Sequence, residues 1–129
     1  MRLLLDTNVF LWAASDPQQL SATAHAAIAD RANDVYVSSA AALEIVIKYA
    51  RGRLGLPMDP TNYLTSRSRA LGIAHLPITL DHALAVAALP PIHRDPFDRL
   101  MIAQAMVEGL IFVTRDTASL TYSVKLMEA

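Results

Sequence analysis

The sequence predicts an α/β fold: a central, mostly parallel sheet flanked by helices. Three observations carry that expectation. Short apolar runs alternate with longer helical stretches, the pattern of strands joined by helices. Pro and Gly fall between those stretches, where elements start and stop. No internal repeat, low-complexity tract or long linker interrupts them.

The elements follow in order. Arg2–Leu5 is a short apolar run ending at Asp6, the first strand. Residues 7–14 read as a helix, which Asp16-Pro17 ends. Ser21 caps a second helix running to about residue 31. Residues 35–37, Val-Tyr-Val, are β-branched and aromatic and read as a strand. Ser38 or Ser39 caps a long helix over residues 40–49, stopped by Gly52 and Gly55. Pro60–Leu71 is a helix with Gly72 beyond its end, and Ile73–Leu76 a strand. A short helix over residues 80–88 precedes the Pro90-Pro91 break. Asp95-Pro96 opens a helix to Glu108 with proline at its first position, and Gly109 ends it. Residues 110–113 form a strand leading into Thr114, and residues 124–126 an edge strand.

The bulk properties narrow the function. A chain of 129 residues suits one domain, residues 1–129, around one core. With 53% hydrophobic and 18% charged residues it folds rather than staying disordered. Cysteine is absent, which excludes disulfides, thiolate metal sites and cysteine nucleophiles and fits a reducing compartment. The first apolar run is too short for a signal peptide, and none approaches the roughly 20 residues of a membrane span. A cytoplasmic protein is expected. The net charge of −1 argues at first against a nucleic-acid partner. If four of the twelve acids share a pocket, however, eight remain against eleven Lys and Arg, leaving +3 outside it.

Four acids stand out. Asp6 ends the first strand, Asp116 follows the strand 110–113, and Asp98 lies in the first turn of the helix after the Pro-Pro loop. Ligands bind open parallel sheets in the crevice beyond the carboxyl ends of the strands. Glu44 interrupts the apolar run 40–47 in the helix after the second strand. Carboxylates gathered in one place repel and take up protons unless a cation compensates them. A hard divalent ion such as Mg²⁺ suits oxygen ligands. Such ions activate water and stabilise an in-line displacement on a phosphodiester. Each acid also has a plain structural reading. Asp6 can cap the next helix, Asp98 can serve the helix dipole with Asp95 as the cap, Glu44 can pair with Lys48 on a solvated face, and Asp116 can be a turn residue.

Taken together, four segments resemble the PIN-domain family, specifically the VapC toxins of type II toxin–antitoxin pairs. They are Leu4-Leu5-Asp6-Thr7-Asn8, residues 37–48 from Val37-Ser38-Ser39-Ala40 through Glu44 to Lys48, residues 93–105 around Asp95-Pro96-Phe97-Asp98, and Val113-Thr114-Arg115-Asp116, with Tyr122 and Val124 beyond. The resemblance spans residues 2–126 in the family's order. It implies a PIN fold and Mg²⁺- or Mn²⁺-dependent endoribonuclease activity on RNA. It makes Asp6 and Asp98 metal ligands, and Glu44 and Asp116 complete the acidic set directly or through water. Thr7, Asn8, Thr114 and Ser39 match polar positions that orient a ligand or water, Ser39 with capping as its other role. Asp95 is then the helix cap. The family further implies a homodimer and a small antitoxin whose C-terminal segment reaches the active site. Ser119 departs from the family, which often has an apolar residue there.

The remaining candidates are assigned structural roles. His93, Arg94 and Arg99 flank Asp98, and Arg99 is expected in a solvated salt bridge. Lys48, Arg51 and Arg53 are a charged face at a helix end, with a phosphate track as the alternative. His25, His75 and His82 are isolated, Trp12 is core or dimer interface, and Met101 and Met106 are core. Two other functions remain in view. A receiver-like phosphoacceptor domain has similar length and architecture, but Asp6 lacks an acidic neighbour and the only late lysine is Lys125. A PIN scaffold that binds without catalysis is the other.

Overall fold

The structure is a computed structural model and describes residues 1–91, 95–116 and 124–129. His93, Arg94, Ser119 and Tyr122 lie outside the described residues. The chain runs β1 (Arg2–Leu5), α1 (Thr7–Ser15), α2 (Ala22–Ala29), β2 (Asp34–Ser38), α3 (Ser39–Ala50), α4 (Pro60–Leu71), β3 (Ile73–Leu76), α5 (Leu80–Ala85), α6 (Pro96–Glu108), β4 (Ile111–Thr114) and β5 (Leu126–Glu128). Among the described residues, short 3-10 turns at Pro17–Gln19 and Val86–Ala88 are the remaining elements.

Among the described residues the sheet has five strands in the order β3-β2-β1-β4-β5, and every described pairing is parallel. Leu3 of β1 sits between Val35 of β2 and Ile111 of β4. Parallel strands covered on both faces need unbroken apolar sequence. Accordingly Leu3, Leu4 and Leu5 are all fully buried. Val9 and Phe10 of α1, Ala41 and Ile45 of α3, and Met101, Ile102 and Ala105 of α6 complete the core around them.

Local chemistry explains the helix ends. Asp59 accepts from the Asn62 amide at 3.0 Å before Pro60, and Gly72 closes α4 at φ +68°. Asp95 accepts from the amides of Phe97 (2.8 Å) and Asp98 (3.3 Å) before Pro96. Ser38, not Ser39, caps α3, accepting from the Ala40 amide at 2.9 Å.

Several expectations need adjustment. The second helix ends at Ala29 rather than residue 31, because the Asp30 side chain accepts from the Ala32 amide and turns the chain. The last helical residues before Pro90 tighten into a 3-10 turn after Ala85. Leu110 lies outside β4, since its amide closes α6 on the Ala105 carbonyl at 2.8 Å. The edge strand begins at Leu126 rather than residue 124, where pairing with Phe112 begins. Met106 is 41% exposed, not core. Five residues beyond Met101, it falls on the opposite face of α6. Arg99 is not simply a solvated ion: its guanidinium donates to the carbonyls of Pro90 (2.8 Å) and Val86 (3.2 Å), bracing the turn before α6.

Candidate active site

The strand order makes one crevice special. From β1 the sheet grows through β2 to β3 on one side, then returns to add β4 on the other. The switch point therefore lies beyond the carboxyl ends of β1 and β4, where open α/β sheets bind ligands. Asp6 leaves β1 there, and Thr114, Arg115 and Asp116 leave β4 beside it.

One hydroxyl joins the two strand ends. Thr114 Oγ1 donates to Asp6 Oδ2 at 2.6 Å and accepts from the Asp116 amide at 3.1 Å. Asp6 stands at the N-cap position of α1, but its carboxylate makes no capping hydrogen bond. Burial pushes the Asp6 pKa above its ordinary 3.8, and the nearby Glu44 charge pushes the same way. The Thr114 hydrogen bond, helped by the nearby Thr7 and Asn8 amides that stop short of a capping bond, only partly opposes that rise.

Glu44 enters from α3. It is only 6% exposed, and both its oxygens are engaged. Thr7 Oγ1 donates to Oε1 at 2.6 Å, and Lys48 Nζ lies 2.6 Å from Oε2. The i, i+4 pair foreseen in the sequence therefore exists, but between a buried Glu44 and an exposed Lys48. Lys48 holds its proton more firmly than usual, chiefly through the Glu44 hydrogen bond, with Asp95 and Asp98 adding attraction.

These groups share a cavity of about 320 Å³. Its lining includes the carboxylates of Asp6, Glu44, Asp95, Asp98 and Asp116, together with Thr7, Asn8, Trp12, Lys48 and Arg115. Among the described residues, no three acids or histidines already stand close enough to form a ready metal cage. The donors are nonetheless hard oxygens, and a cation already occupies the lining in the form of the Lys48 ammonium. That donor set fits Mg²⁺ or Mn²⁺.

Residues 3–122 match the profile of the PIN domain. This chain belongs to the PIN-domain family. Over 115 residues it is 31% identical to ribonuclease VapC22 of Mycobacterium tuberculosis, covering 88% of this chain and 86% of that protein. In fold it is similar to VapBC2 from Rickettsia felis, solved bound to a DNA fragment from its promoter (TM-score 0.75, 15% identity, 99% of this chain and 98% of that one). It is also similar to DNA-bound VapBC from Salmonella typhimurium (TM-score 0.69, 14% identity, 99% and 98% covered). Membership of the family sets the receiver-domain reading aside.

Within this PIN fold, the four acids singled out in the sequence all line one cavity, as do Thr7 and Asn8. Thr114 reaches it through Asp6. Ser39 is not in the lining; it is exposed and borders a separate small cavity with Val37, Leu64 and His75. Asp95 caps α6 as expected and also lines the pocket. Sequence reasoning missed the wall made by Trp12 and Arg115. The Arg115 guanidinium stacks 4.3 Å from the Trp12 ring centre and donates to the carbonyls of Gln19 and Ala129, the latter at 3.0 Å. The helical period held a signal for Trp12, which lies four residues after Asn8 on one face of α1. Arg115 gave none, since its partners are remote in sequence. No helix among the described residues is long and apolar enough to cross a membrane.

Proposed function

We propose that this PIN protein is a divalent-metal-dependent endoribonuclease and the toxin half of a VapBC-type pair, residues 1–129 acting as one domain. The observation that carries this reading is the meeting of Asp6, Glu44, Asp98 and Asp116 around one open cavity at the β1–β4 switch point. Kinship with a protein named a ribonuclease supports RNA as the substrate class. Likeness to proteins solved as VapBC complexes supports an antitoxin partner. A homodimer acting in the cytoplasm completes the proposal. Apolar Leu43 and Val46 on α3, 50% and 44% exposed, favour association through that face.

Asp6 and Asp98 would hold Mg²⁺ or Mn²⁺, with Glu44 and Asp116 beside them directly or through water. The bound ion supplies Lewis acidity for attack of water on phosphorus in line with the leaving oxygen. The chain's own residues prepare that chemistry. Thr114 orients the Asp6 carboxylate and Thr7 that of Glu44. Burial makes the charge on Asp6 costly until a cation offsets it. Lys48 and Arg115 place positive charge in the lining, where a phosphate would approach. No covalent enzyme intermediate is required.

The test is cleavage of RNA by purified protein with Mg²⁺ or Mn²⁺, comparing wild type with Asp6→Asn and Asp98→Asn. Both variants should lose more than about 100-fold in rate, beyond the range of a change made next to the ligands. Undiminished cleavage by both would overturn the site. A calorimetric titration without Mg²⁺ or Mn²⁺ binding would favour a PIN scaffold that only binds.

A further inference from the structure

Glu44 and Lys48 form an asymmetric pair. The Glu44 side chain is 8% exposed and that of Lys48 46%. The carboxylate is set inside the protein, with one oxygen held by Thr7. The ammonium arrives from the solvent side on a flexible stem, one helical turn further along α3. Four more carboxylates line the same cavity, those of Asp6, Asp95, Asp98 and Asp116. Such a set repels itself unless positive charge is supplied.

We propose that Lys48 is the resident counter-cation of this pocket and competes with the divalent ion for Glu44. The inference rests on reading the cavity as a divalent-cation site. Two features of the geometry carry it. Lys48 Nζ takes Glu44 Oε2 at 2.6 Å, so this oxygen is occupied until the lysine moves. The half-exposed stem leaves the lysine free to move, since it can swing into water without unpacking the core. With a dication bound in the pocket, the ammonium would be repelled, and Glu44 would be free to turn from Lys48 toward the ion. Before loading, the lysine spares Glu44 a buried, unpaired charge. During loading, it weakens the ion's hold.

The experiment is calorimetric titration of Mn²⁺ into the full chain, wild type against Lys48→Met and Lys48→Arg, with thermal melting of each in EDTA and in saturating Mn²⁺. Methionine keeps length and removes charge; arginine keeps charge. Lys48→Met should bind Mn²⁺ at least about tenfold more tightly, as expected when a unit charge leaves the neighbourhood of a dication. Lys48→Arg should stay near wild type. Lys48→Met should melt lower in EDTA and recover in Mn²⁺. A lysine with a merely structural role would lower the melting temperature and leave the Mn²⁺ affinity unchanged. Equal or weaker Mn²⁺ binding by Lys48→Met therefore overturns the proposal while leaving the cation site standing. Binding by Lys48→Met alone, with none by wild type, supports it. Absence of binding in every variant overturns both this inference and the metal-dependent function. If Lys48→Met does not fold, Lys48→Gln, neutral but able to donate to Glu44, is measured against the same expectations.

Discussion

Thr114 donates its hydroxyl to Asp6 across the β1–β4 seam at 2.6 Å, and that hydroxyl also receives the Asp116 amide. A single side chain, 4% exposed, thus sets the position of one acid and the backbone of another. Thr114→Val keeps the shape and removes the hydroxyl. We expect a loss of about 1–3 kcal/mol in chemical denaturation, because Asp6 and the Asp116 amide both lose a partner. RNA cleavage should fall about 10–100-fold, and Thr114→Ser should restore most of it. A valine variant with wild-type cleavage would show that the hydroxyl does not orient the acid.

Asp6 should also reveal itself in stability. Its folded pKa lies above 3.8, so the folded chain binds this proton more tightly than the unfolded chain does. The resulting stabilisation is full below the unfolded pKa and is lost as pH rises through the folded value. At neutral pH, without metal, ionised Asp6 therefore weakens the fold. Asp6→Asn should melt higher than wild type in EDTA near about pH 7, and the gain should vanish on acidification toward about pH 4. With Mn²⁺ the order should reverse, since the wild type gains binding energy. An asparagine variant that melts lower in EDTA at neutral pH would contradict the assigned burial penalty.

A second polar network centres on buried side chains. Ser38 Oγ donates to Gln104 Oε1 at 2.5 Å, and Gln104 Nε2 faces the Pro77 carbonyl (3.3 Å) and His82 Nδ1 (3.4 Å). His82 Nδ1 also accepts from the Thr79 amide at 3.0 Å, so its proton sits on Nε2, 3.1 Å from Glu108 Oε1. Gln104 and His82 are both fully buried. Gln104→Leu should cost about 1–3 kcal/mol in urea unfolding, because it removes the acceptor of the buried Ser38 hydroxyl and a donor to the Pro77 carbonyl. A change within about 0.5 kcal/mol would mean the network contributes nothing beyond packing.

Gly72 supplies a control far from the acids. It closes α4 at φ +68°, and a Cβ there would meet the Arg31 guanidinium. Gly72→Ala should cost about 1 kcal/mol in stability from the left-handed backbone alone. Cleavage measured below the melting transition should match wild type. Lost activity in a folded Gly72→Ala protein would place the functional surface elsewhere.

The sequence by itself determined most of the elements, because their signals are local. Pro60 with Gly72, and Pro96 with Gly109, bracket their helices through backbone restrictions that act within a turn. Leu3, Leu4 and Leu5 announce a strand buried on both faces. Glu44 was visible as a break in an apolar run and Asp6, Asp98 and Asp116 by their places at strand ends and in a first helical turn, and the Glu44–Lys48 spacing was legible one helical turn apart. Only the tertiary structure decided which groups meet. Asp6 and Thr114 lie 108 residues apart and touch because β4 inserts beside β1. The Trp12–Arg115 wall depends on the same strand order. Ser39 and Ser38 were equal candidates in sequence, and the fold exposed one and buried the other as a cap. His82, an isolated histidine in the sequence, became the centre of a buried network only once α5 packed on α6. The physical reason is range: propensity and capping act over about four residues, whereas strand order and burial arise from packing contacts between segments far apart in the chain.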